Sequence, residues 1–139
     1  MRFAIIILVI FMGLPGFSQK TPEDILEPFF NTFDKNPDEA IEYIFTTNPY
    51  IKQNQDGIDR IKERLNTSRK LLGEYYGEEL INLQSVGDSF TKYTYMLKYD
   101  RQPVKIEIIL YRPDDVWVLY TMQFDDKLTK DFETLDLKD

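Results

Sequence analysis

Tyr93, Tyr95 and Tyr99 recur at even spacing within one short run, and Arg101 follows two residues later. Phenol rings so spaced share one face of a strand, where they can line a pocket for an apolar or aromatic ligand. An arginine beside them can clamp a ligand carboxylate through its two-pronged guanidinium. Each reading has a plainer counterpart, which weighs more. Tyrosines on a half-covered sheet pack their rings and leave the hydroxyl wet, and a loop arginine commonly pairs with a neighbour such as Asp100. Trp117, the single tryptophan, fits a core or interface better than a ligand wall. The ligand-binding candidates are therefore Tyr75, Tyr93, Tyr95, Tyr99, Arg101 and Trp117.

The missing residue types narrow the chemistry further. The chain has no histidine and no cysteine, so it holds no Ser-His-Asp or Cys-His nucleophile system and no imidazole base. Zinc and copper sites lose their usual ligands for the same reason. Asp114, Asp115, Asp125 and Asp126 could gather calcium only in a dedicated loop, and EF-hand spacing is absent. No cofactor, metal or catalytic residue is expected. Asn66-Thr67-Ser68 is a formal glycosylation sequon, but it falls inside a helical pattern. A net charge of −7 repels phosphate backbones and anionic lipid heads, so nucleic acid is not an expected partner.

The N-terminus reads as a secretory leader over residues 1–18. Arg2 precedes the apolar run Phe3–Met12, Gly13-Leu14-Pro15-Gly16 breaks it, and Gly16 and Ser18 offer small residues before a cut at Gln19. A run of that length is too short for a span, which needs about 20 apolar residues. The expected location is periplasmic or secreted, with no stable membrane anchor once the leader is removed.

The mature chain divides into a helical half and a strand-rich half. Thr21-Pro22 predicts a helix start with a capping hydroxyl, and Ile25, Leu26, Phe29, Phe30 and Phe33 share one face. Pro28 predicts a kink or a later start. Asn36-Pro37-Asp38-Glu39 starts a second helix with inner residues Ile41, Ile44 and Phe45. A third, long helix is expected over 56–76, with Gly77 as its stop. Period-two patterns then predict strands over 79–86, 90–99, 104–111 and 116–124. In the last of these, Tyr120, Met122 and Phe124 oppose Leu119, Thr121 and Gln123. Helices followed by a meander predict an α+β fold with the helices packed on a curved antiparallel four-stranded sheet, the long helix as its cover. Residues 19–125 form that domain, and 126–139 an acidic polar tail.

The capped helices near Thr21 and Asn36 and the string Leu72-Gly73-Glu74-Tyr75-Tyr76-Gly77 opening into four strands resemble a known family. So do Ser85-Val86-Gly87-Asp88-Ser89, Lys98-Tyr99-Asp100-Arg101-Gln102-Pro103, and the Trp117 strand ending in Phe124-Asp125-Asp126. Together with the leader they are similar to small exported proteins of the NTF2-like (cystatin-like) superfamily of Bacteroidota type. The resemblance spans nearly all of the mature chain. It implies a cone: a bent sheet wrapping a helix, with a pocket at the open end. Members hosting enzymes, binders and assembly domains all share that fold. Relatives resembling ketosteroid isomerases use an aspartate base and tyrosine oxyanion donors, roles for which Asp100, Asp125 and the tyrosines supply residue types. The leading expectation is a non-catalytic exported domain binding a small apolar ligand or a protein partner at the cone's open end. A cofactor-free Asp/Tyr isomerase or lyase, or a homodimeric assembly module, is the alternative.

Overall fold

The computed structural model describes residues 20–135, so the leader, its cleavage site and the end of the tail lie outside the described residues. Helix α1 spans Glu23–Lys35, α2 Pro37–Thr46, α3 Pro49–Lys52 and α4 Gln55–Leu72. Strands β1 (Tyr75–Val86), β2 (Phe90–Tyr99), β3 (Pro103–Tyr111) and β4 (Val118–Asp125) follow, then a short helix α5 (Lys130–Leu135). The strands pair antiparallel in chain order as one four-stranded sheet. The fold is α+β: helices packed on a curved meander.

Helix α1 starts by a different device from the one expected. The Thr21 hydroxyl makes no cap; the Asp24 carboxylate instead accepts from the Thr21 backbone N–H at 2.9 Å. Pro28 sits inside α1 without ending it. A proline nitrogen cannot donate, so the carbonyl four residues earlier, Asp24, loses its helical partner. The Tyr43 hydroxyl of α2 donates to that carbonyl, at 3.4 Å. In α2 the cap is as the sequence implies: the Asn36 side chain accepts from Glu39 N–H at 3.3 Å ahead of Pro37.

Helix α4 stops at Leu72, four residues before the expected end. Gly73 takes φ 84°, which favours glycine, and a Cβ there would lie 2.9 Å from Asp100 Cβ and Oδ2. The turn is locked by Arg101 N–H donating to Leu72 O and Glu74 N–H donating to the Asp100 carboxylate, both at 3.0 Å. Tyr75 and Tyr76 consequently belong to β1, not to the helix.

One face of the sheet carries the core. Tyr93 faces Ile108, Leu97 faces Val104 and Ile108 faces Met122 across the register, and all five residues are buried. The ring contacts that dock a helix onto this face come from α1: Phe30 lies 4.5 Å from Tyr95 and Phe33 5.3 Å from Tyr75, centroid to centroid. The long α4 also packs beside α2, with Lys62 paired to Glu42 and Asn66 holding Asp38 at 2.9 Å. Helix α1, whose five apolar residues are all buried, shares the cover role with α4, whose Ile58, Leu65 and Leu72 lie in the same buried core. The bond to Asp38 also occupies Asn66, the sequon asparagine.

Strict alternation fails in β4. Ile109 pairs with Thr121 and Leu110 with Leu119, leaving Tyr120 as an extra residue. The bulge turns both Leu119 and Met122 inward and Tyr120 outward, 56% exposed. Next to it, the buried Thr47 hydroxyl accepts from Leu119 N–H at 2.9 Å, and Asn48 Nδ2 donates to Leu119 O at 2.8 Å. The end of α2 therefore covers this point of the β4 edge. Part of the expected tail is the helix α5, held to β3 by Lys105 and Asp131 at 3.2 Å.

Candidate functional site

The C-terminal turn of α1 and the first residues of β1 border an open cleft of about 490 Å³. Phe30, Asn31, Asp34 and Lys35 come from the helix, and Tyr75, Tyr76, Gly77 and Glu78 from the strand. Its volume is that of a small-molecule site, though it is open to solvent rather than enclosed.

The strand side is shaped by a bulge. The register slips between Tyr75 and Glu78, and Gly77 adopts φ 118°, a conformation other residues rarely take. In a regular strand, residues three apart point to opposite faces. The slip brings Tyr75 and Glu78 to the same side, and the Tyr75 hydroxyl donates to Glu78 Oε2 at 2.8 Å. Burial, that bond and the charges of Glu78 and Asp34 push the Tyr75 phenol far above its ordinary range. It serves as a hydrogen-bond donor and not as a base.

Behind the cleft stands a continuous aromatic wall. Tyr75 packs 5.3 Å from Tyr99, and Tyr93 stacks on Tyr95 at 6.4 Å with an interplanar angle of 12°. Tyr93 and Tyr99 are buried; Tyr75 and Tyr95 are half-buried. The Tyr99 hydroxyl is buried without a hydrogen-bond partner. Burial holds the Tyr95 phenol up at about 12. At the rim, Tyr76 is also pushed up to about 12 by the neighbouring carboxylates of Asp100 and Glu74, and its hydroxyl donates to Glu74 Oε2 at 3.4 Å.

Of the six candidate side chains, Tyr75 alone lines the cleft. Tyr93, Tyr95 and Tyr99 form the wall behind it. Arg101 is exposed in the β2–β3 loop. Trp117 lies past the other end of β3, buried beneath the Arg112 guanidinium at 5.3 Å. The nine residues of β3 separate the two ends by about 30 Å at 3.3–3.4 Å each, so Arg101 and Trp117 cannot serve one small ligand. Asn31, Asp34 and Glu78 carry no mark in the sequence, and Phe30 reads there as core alone, because only the docking of α1 onto β1 makes them neighbours at a cleft.

Neither aspartate is placed as an inward-facing base. Asp100 and Asp125 are both exposed. The Asp100 carboxylate accepts from Glu74 N–H and the Asp125 carboxylate from Lys127 N–H. The Tyr76 hydroxyl, then the Glu74 amide, hold Asp100 below the ordinary carboxylate range. Both aspartates do turn chemistry.

No protein-family model, curated protein or solved structure matches this chain. Among the described residues no helix is long and apolar enough to cross a membrane, and no three acidic side chains converge as metal ligands.

Proposed function

We propose that this chain is an exported, non-catalytic binding domain that takes a small, ring-bearing ligand or a partner's side chain in the α1–β1 cleft. The observation that carries the reading is the cleft itself: Phe30, Tyr75 and Tyr76 front an open hollow whose polar groups are hydrogen-bond donors and acceptors rather than an activated nucleophile. Asp34 and Glu78 outnumber Lys35 along its lining, so a neutral or cationic ligand fits better than an anion. The exposed positions of Asp100 and Asp125 give the isomerase reading no support. Export rests on the leader pattern of residues 1–18, and the NTF2-like kinship on helices followed by a curved four-stranded meander.

Amide chemical shifts test the site, with benzyltrimethylammonium as a cationic ring probe and benzoate as its anionic counterpart. The cation is expected to move the amides of Tyr75, Tyr76 and Gly77 and to bind more tightly than benzoate. Tyr76→Ala, which removes an exposed ring, is expected to weaken it about tenfold, or 1.4 kcal/mol. Unmoved amides at those three positions with both probes would overturn the reading. A protein whose exported form does not begin near Gln19 would overturn the leader.

A further inference from the structure

The two edges of the sheet are treated differently. On β4, Thr47 and Asn48 engage both backbone groups of Leu119. On β1, among the described residues, no backbone bond from another element reaches the far edge beyond Gly77. This is also the longest strand, with 12 residues; it has bulges near Gly77 and Ile81 but neither proline nor lysine to blunt its edge. From Glu78 to Val86 every residue is exposed, including Leu80 at 46%, Ile81 at 40% and Leu83 at 51%.

We propose that β1 pairs antiparallel with β1 of a second copy of this chain, joining two sheets into one of eight strands. This goes beyond the cleft reading and does not depend on it. The strand's own irregularity selects the register. Leu80 pairs with Tyr95 and Asn82 with Thr94, so Ile81 is an extra residue that reverses the in–out phase of the strand. Glu78, Leu80, Leu83 and Ser85 therefore face the helical side, and Glu79, Asn82 and Gln84 the other. Residues directly opposed across an antiparallel pair share a face. That condition is met with the two-fold axis between Ile81 and Asn82. Leu80 then meets the partner's Leu83, Glu79 the partner's Gln84, and Glu78 the partner's Ser85.

Charge selects the same register. The strand carries Glu78 and Glu79 and no basic side chain. Sliding the pair by two residues one way sets Glu78 against Leu83, and the other way sets Glu79 against Val86. In the chosen register every carboxylate meets an amide or a hydroxyl. Glu79 and its symmetry mate stand five residues apart, about 17 Å along the strand and beyond the screening length of physiological salt. Four exposed leucines close over one another at the centre.

The absence of cysteine makes the register directly readable. Glu79→Cys and Gln84→Cys are single variants at exposed positions, within disulfide reach of each other only across the dyad. Light scattering of the mature wild-type protein is expected to give twice the mass of one chain. Under mild oxidation, mixed E79C and Q84C are expected to form a disulfide dimer that neither forms alone. Leu83→Lys is expected to return the protein to monomer, and adding Leu80→Glu in the same chain to restore the dimer by facing opposite charges. A monomeric wild type at every concentration, or a dimer whose mixed variants crosslink no better than each alone, would overturn the proposal. The second outcome would move the contact elsewhere, such as the outer sheet face around Phe90 and Tyr120.

Discussion

Replacing Pro28 with alanine is expected to stabilise this protein, and the structure says by how much and through which partner. Proline inside a helix costs about 3 kcal/mol, from the lost amide and from the ring pressing on the carbonyl one turn back. Proline also stiffens the unfolded chain, an advantage of about 0.4–1 kcal/mol that the substitution gives up. Pro28 is exposed, so its removal opens no cavity. The net gain is about 2 kcal/mol, or about 1 M in urea midpoint at a slope near 2 kcal/mol/M. The signature lies in a double-mutant cycle with Tyr43. In the parent chain the Tyr43 hydroxyl is the surrogate donor to Asp24 O, at 3.4 Å, so Tyr43→Phe is expected to cost about 0.5–1 kcal/mol. With an amide restored at position 28, Asp24 O has its helical partner and Tyr43→Phe is expected to cost close to nothing. Urea denaturation of the four proteins measures the coupling. A neutral or destabilising Pro28→Ala, or an equal cost of Tyr43→Phe in both backgrounds, would refute the account.

Thr47→Val removes the hydroxyl that accepts from Leu119 N–H and leaves a buried donor without a partner; the expected loss is about 1–3 kcal/mol. Thr47→Ser, which keeps the oxygen, should retain most of that in the same denaturation assay. Asp100 is held below its ordinary value of 3.8, with the Tyr76 hydroxyl as the main cause. A carboxylate depressed by folding stabilises above its unfolded pKa, and that contribution is lost as pH falls below 3.8 through the folded value. Carbon-detected NMR titration should show the Asp100 midpoint rising in Tyr76→Phe; an unchanged midpoint would remove Tyr76 as its donor.

Much of this architecture could be read from local pattern. The cap Asn36 with Pro37 and Glu39, the buried stripe of α1 and the ends of β2 all follow from residues close together in sequence. What escaped depends on tertiary neighbours. Either Gly73 or Gly77 could end the long helix; Asp100, 27 residues away, leaves no room for a side chain at Gly73. The run from Val116 to Tyr120 is apolar at every position, so nothing local marks the bulge at Tyr120. Phe30 and Phe33 were legible as core, but not as the rings that meet Tyr95 and Tyr75. The tyrosines were legible as residue types; which of them fronts a hollow and which fills the interior was decided by the helix laid over them.

The tie between Thr47, Asn48 and Leu119 bridges 71 and 72 positions of the chain. During synthesis the helices emerge long before the ribbon segment that clasps them. This latch cannot close until Leu119 has left the ribosome, so the β4 edge goes uncovered until the last fifth of the polypeptide has appeared.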